Sequence, residues 1–193
     1  MFYKFARLIM RLYFALFYRV KVEGKENIPD KGPLLLYANH PSAWDMILIG
    51  CYMKRQVHFM AKAELFRNPL LAFLFRSLGA FPVSRGKGDV GSVKTVFRLL
   101  NEGRVVGIFP EGTRTKKKDV TKGKSGAAMF AFHSKAPILP VGIVWNKKWF
   151  SKLKLVFGEP FTLEYPEDEH PSKQELMDST RMIIDRIYAL IGQ

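Results

Sequence analysis

A regular alternation of short apolar runs with stretches of helical periodicity, beginning after Gly32-Pro33, constrains this chain more than any other feature. Leu34 to Ala38 is continuously apolar and reads as a buried strand, and Ser42 to Met53 then carries apolar residues at helical spacing. The unit recurs as His58 to Ala61 with a helix from about Glu64, Ala80 to Val83 with a helix over Asp89 to Leu100, and Val105 to Phe109 with a helix near Ser125 to Ser134. Ile138 to Val144 and Leu153 to Phe157 read as two further strands. Ser172 and Glu175 have the spacing of a capping box, ahead of a stripe formed by Leu176, Met177, Ile183, Ile184, Ile187 and Leu190 that predicts a closing amphipathic helix. Strands alternating with helices imply βαβ crossovers, hence an α/β fold with a mostly parallel mixed sheet covered by helices on both faces. Functional groups in such sheets collect at the carboxyl ends of strands, so the residues just after each run are the candidates.

The first twenty residues do not share this pattern. They hold seven aromatics and four basic residues (Lys4, Arg7, Arg11, Arg19) and no acid. On a helix, Lys4, Arg7 and Arg11 fall on one stripe while Phe5, Leu8, Ile9, Leu12 and Leu16 spread over the rest. Spanning a bilayer is disfavoured, since Arg7 and Arg11 near the centre would each cost about 2.5–3.5 kcal/mol. The segment also lacks the apolar run and small-residue cleavage site of a signal peptide. Two expectations remain: a helix lying in the plane of a membrane surface, or one packed on the protein's own core with its basic stripe in solvent. The former divides the chain into residues 1–20, an anchoring amphipathic helix, and residues 21–193, the main domain. The chain carries 31 Lys and Arg against 17 Asp and Glu, a formal charge of +14, which predicts anionic partners. Cys51 is the only cysteine, so no intrachain disulfide forms.

The first strand runs out into Asn39-His40-Pro41-Ser42-Ala43-Trp44-Asp45. If Ser42 opens a helix, Asp45 lies in its first turn and can reach back to one imidazole nitrogen of His40, leaving the other free as a base. A capping aspartate beside a surface histidine would produce the same spacing. The Val105 to Phe109 strand ends in Pro110-Glu111-Gly112-Thr113-Arg114-Thr115. Gly112 lets backbone approach a ligand, Thr113 offers a hydroxyl, and Arg114 a planar fork that matches phosphate oxygens. Glu111 could lock the arginine or bind a substrate hydroxyl; a solvated turn is the plainer alternative. Lys62 and Arg85 follow two other strands, so three strand ends offer cations to whatever binds near His40.

Taken in order, Asn39 through Asp45, Phe81 through Arg85, Phe109 through Thr115 and Pro137 through Val141 resemble the four blocks of the glycerophospholipid acyltransferase family, in particular the 1-acyl-sn-glycerol-3-phosphate acyltransferases. Lys62-Ala63-Glu64-Leu65 is similar to a basic segment between the first two blocks, and the likeness extends over about residues 20 to 160. The second block departs from the pattern, with Pro82-Val83-Ser84 ahead of the retained Arg85. The resemblance implies acyl transfer from a thioester, acyl-CoA or acyl-carrier protein, to the 2-hydroxyl of lysophosphatidic acid, giving phosphatidic acid in phospholipid biosynthesis. It implies His40 as general base, Asp45 as its orienting partner, Lys62, Arg85 and Arg114 on the phosphate, and Glu111, Gly112 and Thr113 in the substrate-binding turn. No cofactor or metal is expected. The expected setting is peripheral, on the cytoplasmic face of an anionic phospholipid membrane. Alternatives are the same chemistry on another lysolipid, glycolipid or amino lipid, and hydrolysis with His40 activating water. Nucleic acid is not expected as a partner, because no zinc-finger, RNA-recognition or helix-turn-helix signal accompanies the charge.

Overall fold

A computed structural model describes residues 2–84, 89–115, 123, 125–145, 150–164 and 170–192. The chain runs α1 (Phe2–Phe17), β1 (Arg19–Glu23), β2 (Leu34–Ala38), α2 (Asp45–Tyr52), β3 (Val57–Lys62), α3 (Pro69–Ser77), β4 (Phe81–Val83), α4 (Val90–Asn101), β5 (Val105–Ile108), α5 (Gly126–Ser134), β6 (Ile138–Trp145), β7 (Lys152–Phe157) and α6 (Lys173–Ala189), with short 3-10 turns at Lys25–Asn27 and Ala63–Phe66. The strands form one sheet in the order β1-β7-β6-β2-β5-β3-β4. Every neighbouring pair is parallel except β6 with β7. This is the mostly parallel α/β fold that the alternation implies.

Connection order explains the two layers. From β2 to β3 and from β3 to β4 the chain steps toward one edge of the sheet, and from β4 to β5 to β6 it steps back. Right-handed crossovers therefore put α2 and α3 on one face and α4 and α5 on the other. The packing of three of these helices, together with α1 and α6, is seen directly: Leu48 and Ile49 of α2 join Phe14 of α1 in one core cluster, while Val96, Phe130 and Ile183 from α4, α5 and α6 join the second. β2 is buried on both faces, which is why its five residues are all apolar or aromatic. The closing helix carries the expected capping box between Ser172 and Glu175.

The structure differs from the periodicity in four places. Residues 42–44 form a turn and α2 begins only at Asp45, because the Ser42 backbone N–H donates to the Asp45 carboxylate (2.8 Å) instead of entering a helix. The helix expected from Glu64 is a 3-10 turn followed by α3, which starts at Pro69 with Asn68 accepting from the Leu70 and Leu71 amides. Proline in the first helical turn loses no hydrogen bond. Arg19 and Val20 belong to a strand, so the N-terminal helix ends at Phe17 and the chain then joins the sheet beside β7.

The fourth difference is the orientation of α1. Arg7 donates to the Met53 carbonyl (3.0 Å) at the end of α2, Tyr3 donates to Gly50, and the Arg11 guanidinium lies 5.6 Å from the centre of the Tyr52 ring. A cation at a helix C-terminus also meets the negative end of its dipole. Arg7 and Arg11 thus turn toward the end of α2, while Lys4, Phe5, Leu8, Ile9, Leu12 and Leu16 stand exposed. Phe14, fully buried among Tyr13, Tyr18 and Trp145, holds the helix in place at about 1.5–3 kcal/mol.

Candidate active site

The carboxyl ends of β2 and β5 lie side by side, since Tyr37 pairs with Ile108. Beyond Ala38 the ladder to β6 continues through a side chain: the Asn39 amide donates to the Ile143 carbonyl (2.9 Å) and accepts from the Ile143 N–H (2.7 Å). This pair fixes the backbone one residue before His40.

The His40 ring stacks on Phe109 with centroids 3.9 Å apart, and Phe109 stacks in turn on Phe59 of β3. His40 Nδ1 lies 2.8 Å from Asp45 Oδ2. An ionised carboxylate can only accept, so the proton between them sits on Nδ1 and Nε2 is the nitrogen left to take a proton. The Asp45 side chain is fully buried and the His40 side chain is 14% exposed, which keeps the pair out of bulk solvent while leaving the imidazole accessible. Two donors, the imidazole and the Ser42 N–H, converge on Oδ2 and hold the carboxylate in one rotamer.

The second turn is built from Phe109-Pro110-Glu111-Gly112, closed by the Gly112 N–H donating to the Phe109 carbonyl (2.9 Å). Proline suits the second position of such a turn, and glycine takes the positive φ of 66° at the fourth. The Thr115 N–H donates to the His40 carbonyl (3.0 Å), so this turn is tied directly to the residue that carries the imidazole. Gly112, Thr113 and Arg114 are exposed beside it.

Glu111 does not reach out toward substrate. Its carboxylate is buried, accepting from the Tyr188 hydroxyl (2.7 Å) and from the Thr115 hydroxyl. It braces the turn from within. Tyr188 comes from the last helix, 77 positions along the chain, and no local pattern around it marks this role.

Lys62 ends β3, opposite Val83 of β4, and is exposed two strands from β2, a lateral distance of about 10 Å. Arg85 lies outside the described residues. The segment that leads to it is held by Asp89, whose carboxylate accepts from the Ser84 and Ser92 amides, and these bonds, that from Ser84 foremost, keep its pKa below the usual value. Cys51 is buried and its thiol is pushed up to about 11 by desolvation, so it stays protonated and offers no nucleophile. Among the described residues no group of three His, Cys, Asp or Glu side chains could hold a metal ion.

An imidazole beside a buried carboxylate at the end of a central strand, next to a turn that exposes an arginine, is an arrangement able to serve acid–base chemistry beside an anionic group. Residues 19–144 match the family model described as Acyltransferase, and the chain belongs to that family. It is 38% identical over 195 residues to a 1-acyl-sn-glycerol-3-phosphate acyltransferase of Bacillus subtilis, covering 97% of this chain and 96% of that protein. It is 32% identical to the enzyme of the same name from Streptococcus pneumoniae over 73% of this chain and 53% of that one. The crystal structure of the 1-acyl-sn-glycerophosphate acyltransferase PlsC from Thermotoga maritima superposes with a TM-score of 0.73 at 27% identity, covering 99% of this chain and 81% of that one.

Proposed function

We propose that the chain transfers a fatty acyl group from an acyl thioester to the 2-hydroxyl of 1-acyl-glycerol-3-phosphate, giving phosphatidic acid. The observation that carries this reading is the His40–Asp45 pair, 2.8 Å apart and buried on its carboxylate side, tied through the Thr115 amide to the turn bearing Arg114. His40 Nε2 takes the proton of the acceptor hydroxyl as its oxygen attacks the thioester carbon, and Asp45 stabilises the imidazolium that forms. The new C–O bond forms, the C–S bond breaks, and the proton passes from His40 to the departing thiolate. Lys62, Arg85 and Arg114 hold the acceptor phosphate, with Gly112 and Thr113 lining the turn. Purified protein given lysophosphatidic acid vesicles and acyl-CoA or acyl-carrier protein should yield phosphatidic acid. Release of free fatty acid at the same rate with and without acceptor would show a thioesterase instead.

Arg114→Ala should raise KM for lysophosphatidic acid about tenfold or more, while leaving KM for the acyl donor nearly unchanged. Arg114→Lys should recover only part of the loss, since an ammonium lacks the planar fork. An equal loss with a dephosphorylated acceptor would assign Arg114 to something other than phosphate.

The reading also places the enzyme on a bilayer surface, where both acyl chains reside. Of the sixteen large apolar side chains exposed among the described residues, six lie on α1, two at the start of α2, and five on the 3-10 turn and α3. These thirteen belong to the three helices of one layer, and an apolar concentration of this kind marks an interaction face. No helix among the described residues is long and apolar enough to cross a membrane, so contact in the plane of the surface is the mode that fits. Leu8→Glu with Leu12→Glu, two exposed positions on α1, should cut co-sedimentation with anionic liposomes about 100-fold without unfolding the domain. Unchanged sedimentation of the double variant would overturn the role of α1.

A further inference from the structure

The turn after β5 meets both layers of the fold. The His40 ring stacks on Phe109, and Phe109 packs against the core under α1 and α2. Glu111, two residues on, meets α6 instead, the helix whose Ile183 and Ile187 lie in the second core. Tyr188 donates to Glu111 Oε1 (2.7 Å), Thr115 donates to Oε2, and the two hydroxyl oxygens are 3.4 Å apart. All three side chains are buried. A buried carboxylate loses much by giving up either donor, so the three hold one arrangement.

Shape sets where Tyr188 stands. The end of α6 is pressed onto β6 at Gly142, where an added Cβ would lie 2.6 Å from Ile191 Cγ2, 3.1 Å from Leu190 Cβ and 3.3 Å from the Ile187 carbonyl oxygen. Only glycine admits the helix so closely. Gly142 follows Val141, the partner of Ala38, so α6 is seated at the level where β2 runs out toward His40. The hydroxyl of Tyr188 is therefore delivered to the turn by a well-packed helix end.

We propose that Tyr188 is a positioning residue for recognition of the acceptor phosphate, acting through Glu111 and Thr115 on Arg114. The inference rests on the acyl-transfer reading above and on its assignment of Arg114 to the phosphate. In the chain Arg114 lies between Glu111 and Thr115, and both are clamped. Tyr188 holds Glu111; Glu111 holds the Thr115 hydroxyl, and the Thr115 amide is bound to the His40 carbonyl (3.0 Å). With the backbone tied before and after it, the exposed Arg114 needs less ordering to meet a phosphate beside the imidazole. Glu111 then serves as a brace and not as a ligand of a substrate hydroxyl, since both its oxygens accept from the protein's own hydroxyls.

The test uses the full chain on lysophosphatidic acid vesicles, with whichever of palmitoyl-CoA and palmitoyl-carrier protein supports transfer. Tyr188→Phe removes the hydroxyl and keeps the ring, so the core loses no packing. KM for lysophosphatidic acid should rise about five- to tenfold, while kcat and KM for the donor stay within about twofold. Thr115→Val withdraws the other donor from the turn side and should give the same split even if Tyr188→Phe unfolds α6; Thr115→Ser restores the hydroxyl and should recover most of the loss. Because Tyr188 acts through Arg114, Arg114→Ala combined with Tyr188→Phe should match Arg114→Ala alone in KM, whereas independent effects would multiply. Three results would overturn the proposal: an unchanged KM for lysophosphatidic acid in folded Tyr188→Phe and Thr115→Val, equal losses for donor and acceptor, or multiplied effects in the double variant. Wild-type protein that makes phosphatidic acid from neither donor would instead sink the acyl-transfer reading itself, and the proposal with it.

Discussion

Replacing His40 with alanine is expected to lower turnover by about 10²-fold or more, while the protein stays folded. The imidazole sits at a strand end, and its stacking on Phe109 is the main packing it gives up. Asn39 and the Thr115 amide hold the backbone on either side through bonds that do not involve the ring. Without the ring the acceptor hydroxyl must ionise unaided as it attacks, and the leaving thiolate has no proton delivered to it. The loss should therefore appear in kcat at saturating acceptor and donor, with KM for lysophosphatidic acid changed little, because the phosphate contacts proposed above use other residues. Circular dichroism and a thermal melt establish folding independently. A folded His40→Ala protein with near-normal turnover would remove the general base from the mechanism.

What could be read from the sequence, and what could not, follows from the range of the interactions. β2 is legible to the residue because a strand buried on both faces must be continuously apolar, and Leu34–Ala38 is. The His40–Asp45 pair is legible because both members lie in one strand-to-helix turn. Helix starts depend on local capping chemistry: Asn68-Pro69 is a cap followed by a first-turn proline, and it outweighs the apolar pattern around Glu64, which points to an earlier start. β1 also has strand alternation, Arg19-Val20-Lys21-Val22-Glu23, but its first two residues equally continue the basic and apolar composition of the segment before it.

The inverted orientation of α1 marks a firmer limit. Periodicity tells which residues share a stripe, and Arg7 and Arg11 do. Which stripe packs inward is decided by the partner, here the carbonyls and the Tyr52 ring at the end of α2, and nothing in residues 1–20 encodes that. Tyr188 is hidden for the same reason. Its hydroxyl matters only because the fold brings it against Glu111, and a stripe of Ile183, Ile184 and Ile187 beside it accounts for the helix without it.

Asp45→Asn is expected to reduce turnover nearly as severely as loss of the base, by about 10²- to 10⁴-fold, although the substitution changes a single oxygen to an amide nitrogen. In the native protein Oδ2 accepts from two donors, the His40 Nδ1–H and the Ser42 N–H, each at 2.8 Å. An asparagine can offer only one oxygen and one NH₂ group to this corner. If its oxygen stays with the Ser42 amide and the NH₂ turns to the ring, it donates to Nδ1 and drives the proton to Nε2, the nitrogen that must be free to act as base. If the oxygen instead keeps Nδ1–H, the tautomer survives but no negative charge remains to stabilise the imidazolium. Either arrangement raises the barrier, and nitrogen-15 NMR of His40 distinguishes them by reporting which nitrogen carries the proton. The Asn39 and Thr115 ties are untouched, so a melting temperature lowered by more than several degrees would point to structural loss rather than to mispositioned chemistry. Wild-type turnover in a folded Asp45→Asn protein would mean that the buried carboxylate merely closes the turn at the start of α2.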